Sequence, residues 1–173
     1  MNMNDTNLAR DPAEYVVSPA TLRNVAGTFI TGVTVVTTLV DSEPHGCAAN
    51  AVSSLSLNPP TMLVCLARTS NTHSRLIRSG VFAINILGDS AESREVCRLF
   101  AGKKEDKFSN VEYWLGRTGV PILAQAIGWL ECQLSDAYDS GDHTIFIGKV
   151  VAAEATDGKA LAYFRGQFAS IEQ

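Results

Sequence analysis

Two long runs in the last third of the chain, Ala126 to Ala137 and Thr144 to Glu154, constrain the fold more than any other feature. The first sets Leu130, Cys132 and Leu134 against Glu131 and Gln133, the alternation of a strand with one buried and one wet face. The second, TIFIGKVVAAE, is almost continuously apolar, and the turn residues DSGD join the two as a hairpin. Upstream, VTVVTTLV is dense in β-branched residues and runs through the turn composition DSEPHG into CAANAVSS, a second hairpin. Asn58-Pro59-Pro60 breaks the chain before a buried strand from about Met62 to Leu66, since proline cannot sit in a central ladder, and VFAINIL over 81–87 reads as a further strand.

Helices are fewer. Ser18 followed by Pro19 gives an N-cap with proline at the first helical position, and Leu22, Val25, Ala26 and Phe29 at helical spacing predict a short amphipathic helix packed on the domain. Ser70-Asn71 starts a second helix through Leu76 and Ile77, closed by Gly80. Asp89 and Glu92 have capping-box spacing for a third, which carries Val96, Leu99 and Phe100 before the polar loop GKKEDKFSN. Strands that outnumber helices and do not alternate with them predict a mainly β fold, a mostly antiparallel barrel rather than a doubly wound sheet.

With 173 residues, 46% of them hydrophobic, the chain can bury one sizeable core. Residues 1–17 read as a flexible N-terminal arm and residues 18–173 as the domain. A charged fraction of 18% lies below the usual share of about a quarter, which favours a homo-oligomer that covers part of its surface. A net charge of -4 and the lack of any Lys or Arg run argue against a nucleic-acid or membrane partner. The N-terminus resembles no secretory signal and no apolar run has the length of a membrane span, so a cytoplasmic protein is expected. Cys47, Cys65, Cys97 and Cys132 are far apart, without a CxxC pair, and read as free thiols.

Several familiar sites are missing: GxGxxG, Walker A, GxSxG, HExxH and any cysteine-histidine cluster with metal-ligand spacing. No metal is expected. The segments TGVTVVTT, GCAANAVSSLSLNPP, FAINIL, LFAGKKEDKF, the Gly119-Val120-Pro121 step and GDHTIFIGKV, in this order, resemble the short-chain flavin reductases, whose fold is the FMN-binding split barrel. The resemblance runs from about Asn24 to the last strand.

It implies an NAD(P)H:flavin oxidoreductase that reduces FMN or FAD, FMN slightly preferred, with NADH or NADPH as hydride donor. Such a protein forms a homodimer and supplies reduced flavin to a separate monooxygenase. The alternatives are a flavin-bound oxidoreductase acting on another acceptor and a non-catalytic flavin-binding electron carrier.

An isoalloxazine ring needs small side chains and hydrogen-bond donors close to the backbone, and Ala48, Ala49, Asn50, Ala51, Val52, Ser53 and Ser54 provide that setting. A flavin phosphate needs hydroxyls, helix-start amides and a cation, for which Ser56, Ser70, Asn71 and Ser74 are suitable, with Arg68 or Lys104 as the cation. The same alanines and serines also suit a tight strand crossing, and Ser70-Asn71 suits an ordinary helix cap. By the resemblance, Gly32, Val33 and Thr34 approach the ring or ribityl chain, Cys65, Leu66 and Ala67 line the adjoining strand, and Phe108 closes over the site. His143, in GDHTIFIG, is implied to be the nicotinamide-side histidine, with a positioning role; a turn histidine capping a hairpin is the structural alternative. Tyr163, Phe164 and Phe168 form an aromatic patch that serves as core, dimer contact or border of the nicotinamide site. His45 and His73 read as surface residues.

Overall fold

The computed structural model describes residues 16–171, so residues 1–15 of the expected arm lie outside the described residues. Helix α1 (Pro19–Ala26) leads to strands β1 (Thr31–Gly32), β2 (Thr34–Val40), β3 (Glu43–Ala49), β4 (Val52–Leu57) and β5 (Pro60–Ala67). Helix α2 (Asn71–Ser79), strand β6 (Val81–Leu87) and helix α3 (Ala91–Ala101) follow. The chain continues through β7 (Tyr113–Leu115), β8 (Pro121–Leu123), β9 (Ala126–Ser140), β10 (His143–Ala155), β11 (Leu161–Phe164) and β12 (Gln167–Ser170).

Seven strands form one sheet in the order β3-β2-β6-β9-β10-β5-β4, with every pair antiparallel. A three-stranded sheet, β1-β11-β12, and the β7-β8 hairpin complete the strands, and the expected antiparallel split barrel is the fold observed. The long β9-β10 pair is the spine that the sequence pattern predicts, but both strands are longer than expected. Their ladder reaches Ser140 opposite His143, so only Gly141 and Asp142 form the turn, with Gly141 at φ 60°. In the β2-β3 hairpin the turn is likewise only Asp41 and Ser42, at φ 52° and 66°, while Glu43 and Pro44 already pair with β2. Pro60 opens β5 opposite Leu57, a position where its missing N–H costs no central ladder bond.

Two hydrophobic clusters occupy opposite faces of β2. Val36 joins Val64, Leu66, Phe82, Ile84, Cys132 and Phe146 inside the seven-stranded sheet, where Leu76 of α2 also packs. Val35 joins Leu87, Val96, Phe100, Phe108 and Leu161 beneath α3. This burial on both faces explains why VTVVTTLV shows no polar alternation. At Gly148 of β10 a Cβ would fall 2.6 Å from Phe82 and 2.7 Å from Cys132, so the strand can cross this core only without a side chain there.

Three local expectations need correction. Helix α1 forms with its Ser18 cap, which accepts from Thr21 N at 3.0 Å, yet it buries no residue: Leu22, Val25 and Phe29 stay exposed. The N-cap of α3 is Ser90, accepting from Ser93 N, and Asp89 instead pairs with Arg94. Glu131 does not face water; it is fully buried, because residues 116–118 cover that face of β9 and supply its hydrogen bonds.

Candidate functional site

The C-terminal ends of β3 and β5, the start of β10 and the N-terminus of α2 converge. The Cys47 thiol of β3 lies beside Ser70 and Thr72 at the first turn of α2, and burial pushes that thiol up. Ser70 caps the helix by accepting from Thr72 N, and Gly80, in the left-handed conformation, ends it. Asn71 and Ser74 lie exposed on the first turn, where helix N–H groups lack intrahelical partners.

Val33, Ala48, Ala49 and Asn50 line a cleft of about 520 Å³, together with Cys97, Arg98 and Ala101 of α3 and Tyr163, Gly166, Gln167 and Phe168 from the β11-β12 hairpin. Thr34 pairs with Ala49, and its hydroxyl donates to the Ala49 carbonyl at 2.6 Å. Gly32 is exposed, with no atom within 4 Å of the place its Cβ would take. Ala51 accepts from Cys65 N at 2.9 Å, and Val52, Ser53 and Ser54 then pair with Val64, Leu63 and Met62 as β4. Small side chains and a backbone edge of β3 thus border the cleft, while the exposed Ser53 and Ser54 hydroxyls and the first turn of α2 lie outside its lining. Taken together these groups suit a flat heteroaromatic ring with a phosphate tail, and the cleft is of the size of small-ligand sites.

His143 opens β10 directly opposite Ala67, the last residue of β5. Its Nδ1 lies 2.7 Å from Asp142 Oδ1. That hydrogen bond is the main cause holding the Asp142 carboxyl below its usual range, so the acid is ionised and can only accept. Nδ1 must then carry the proton, and Nε2 has no hydrogen-bond partner among the described residues on a side chain that is 46% exposed. Arg68 sits on the adjoining loop, its N–H donating to the Asp142 carbonyl at 2.9 Å and its guanidinium 3.9 Å from Asp139.

Not every expected site residue joins this constellation. Ser56 pairs with Thr61, six residues down β5 from Ala67 and so about 20 Å away at strand rise, and its hydroxyl accepts from Asn58 N in the turn. Leu66 points into the barrel core at 3% exposure, so its strand neighbours Cys65 and Ala67 carry the outward face. Lys104 is exposed beside Asp106 on the loop after α3, and Arg68 is the cation next to α2. Phe108 is core rather than flap: it is 8% exposed and packs edge-to-face on Phe100 and Tyr113.

Conversely, Arg98 went unread in the sequence. It lines the cleft and sits over the Phe168 ring at 5.2 Å, beside Tyr163, and the only hint was its place one residue after Cys97 on the amphipathic α3. Lys107 is a second such residue, half-buried near Cys47, with its amine donating to the Phe100 carbonyl at 2.9 Å. Among the described residues no group of three or more His, Cys, Asp or Glu is placed to hold a metal ion, and no helix is long and apolar enough to cross a membrane.

Comparison with known proteins shows the family of the chain. Residues 26–172 match the flavin reductase like domain. The reductase subunit HsaB of a flavin-dependent monooxygenase from Rhodococcus jostii is 35% identical over 92% of this chain and 82% of its own. The reductase component of a 4-nitrophenol 4-monooxygenase/4-nitrocatechol 2-monooxygenase from Rhodococcus opacus is 41% identical over 86% of this chain and 79% of its own. A Rhizobium meliloti relative, 42% identical over 88% of this chain, is longer, and the chain spans 49% of it. The solved structure of the NADH:FAD oxidoreductase SgcE6 from Streptomyces globisporus superposes with a TM-score of 0.84 at 36% identity, covering 92% of this chain and 98% of that one. On the match over residues 26–172, the relatives above and its split barrel, this chain belongs to the flavin reductase-like family.

Proposed function

We propose that this protein is an NAD(P)H-dependent flavin reductase that binds FMN or FAD as an exchangeable substrate and releases the reduced flavin to a separate monooxygenase. The observation that carries this reading is the register of His143 against Ala67, which sets an imidazole at the rim of a seat made of small side chains and a helix N-terminus. When bound, the flavin supplies the redox chemistry, as acceptor of a hydride from the nicotinamide.

The chain's own residues orient the two partners. Ala48 and Ala49 let a ring lie close to the backbone, Ser53 or Ser54, which alternate in face along β4, offers a hydroxyl to its polar edge, and the first turn of α2 with Asn71 and Ser74 receives the phosphate. His143, its Nδ1–H held by Asp142, presents Nε2 to the carboxamide or pyrophosphate of the nicotinamide nucleotide. An exposed seat of this kind favours exchange over permanent capture. A Streptomyces globisporus relative named an NADH-dependent FAD reductase supports NADH as donor. The two Rhodococcus reductase components support a monooxygenase partner. A homodimer accounts for α1, whose Leu22 and Val25 are 62% and 63% exposed, and four unbridged cysteines suit a reducing cytoplasm.

Anaerobic mixing of the protein with NADH and excess flavin tests the reading. Multiple turnovers of added FMN or FAD are expected, with saturation in free flavin. A single bleaching of bound flavin, with added flavin untouched, refutes the exchange model.

A further inference from the structure

One hydrogen-bonded chain joins the two halves of this site and belongs to neither. The Thr144 hydroxyl is 2.6 Å from Asp139 Oδ1 and 2.7 Å from His73 Nε2. That bond to Thr144 is the chief cause holding the Asp139 carboxyl low, so Asp139 is an ionised acceptor and the single Thr144 proton goes to it. His73 must therefore donate its Nε2–H to Thr144 Oγ1. His73 is thus not the surface residue its sequence context indicates. It is half-buried, its ring meets the fully buried Phe146 edge-on with centroids 5.1 Å apart, and its backbone N–H donates to Ser70 O at 3.1 Å.

We propose that His73 is a positioning residue for His143, acting through Thr144 and Asp139. This rests on the flavin reductase reading. Thr144 directly follows His143, and the two side chains leave opposite faces of β10: Thr144 is 1% exposed and locked to α2, while His143 stands at the mouth. Asp139 lies opposite Thr144 in the ladder, two residues before the Gly141-Asp142 turn, and Arg68 from the loop leading into α2 approaches its other oxygen. The chain from His73 to Asp139 therefore fixes the β9-β10 hairpin tip against the first turn of α2. It sets the spacing between the histidine that meets the nicotinamide and the helix end that receives the flavin phosphate. Hydride transfer depends steeply on that spacing, since a misplacement of about 1 Å can cost on the order of a hundredfold in rate.

The test is steady-state reduction of saturating flavin by NADH in the full chain, comparing His73→Ala, His73→Gln, Thr144→Val, His143→Ala and the double variant His73→Ala/His143→Ala. His73→Ala and Thr144→Val should each lower kcat/KM for NADH by about tenfold or more. His73→Gln, whose amide N–H can reach the same threonine oxygen, should recover most of the loss. The double variant should be no slower than His143→Ala alone, because His73 acts only through His143. Losses that multiply in the double variant, or a glutamine no better than alanine, overturn the proposal and leave the flavin reductase reading intact. Thr144→Val keeps the size and branching of the side chain, so it carries the test if His73→Ala does not fold. A wild-type protein that reduces no flavin with NADH overturns the functional reading and this proposal together.

Discussion

His143 lies directly opposite Ala67, and Ala67 is three residues from the Ser70 cap of α2, so one ladder pair links the histidine of GDHTIFIG to the N-terminus of that helix. On the proposed function the imidazole orients the nicotinamide and is not part of the flavin seat. Replacing His143 with alanine should lower kcat/KM for NADH by about ten- to a hundredfold while flavin affinity, read by fluorescence titration, stays near the wild-type value. An equal loss of flavin affinity would place the histidine in the flavin seat instead.

Ser74 tests the other end. Its hydroxyl lies on the exposed first turn of α2, where it makes a long bond of 3.4 Å to the Asn71 carbonyl, so little structure depends on it. Ser74→Ala should weaken FMN binding by about 2 kcal/mol, the worth of a hydrogen bond to a charged group. Riboflavin, which has no phosphate, should bind both proteins alike. If riboflavin and FMN lose affinity equally, α2 does not hold the phosphate.

Much of this architecture was legible because local pattern and global fold agree. The β9-β10 hairpin, the Ser18 and Ser70 caps and the Gly80 terminator follow from residues acting on their own backbone, and the structure keeps all of them. What escaped the sequence depends on contacts between distant segments. Glu131 reads as a wet residue because its strand alternates, and nothing within β9 reveals that residues 116–118 fold over it. Lys104 and Lys107 are three apart in one polar loop, yet only Lys107 reaches the Gly46 and Phe100 carbonyls. Phe108 follows charged residues, but α3 turns it inward onto Phe100. Ala48, Ala49 and Asn50, which line the cleft, stand out in the sequence because small size is a property of the residue itself.

The buried Glu131 yields a stability prediction. Its carboxylate accepts from Arg117 N at 2.8 Å, Thr118 N at 2.6 Å and Thr118 Oγ1 at 2.5 Å, and a Cβ on Gly116 would meet it at 2.5 Å. An acceptor-only group is matched here to three donors. Glu131→Gln turns an NH₂ toward those donors and should cost about 2–3 kcal/mol, read as a lower urea midpoint. An unchanged midpoint means that the loop over residues 116–118 shifts and re-forms its bonds elsewhere.

Cys132 provides the pH dependence. Burial, reinforced by the adjacent Glu131 carboxylate, pushes its thiol from an ordinary 9.0 up to about 12. The folded state therefore keeps the proton over a range in which the unfolded chain releases it, and thiolate formation favours unfolding. Stability from this group is fully present below pH 9.0 and is lost as pH rises toward about 12, with a slope of about 1.4 kcal/mol per pH unit while only the unfolded state titrates. Cys47, Cys65 and Cys97 are shifted in the same direction by burial and add to the slope. Urea unfolding at about pH 8 and about pH 10 should show a smaller alkaline loss for Cys132→Ala than for the wild type, although the variant is less stable at both because of the cavity it leaves. Equal alkaline losses in the two proteins would mean that solvent reaches the β9 core and the thiol titrates in the folded state.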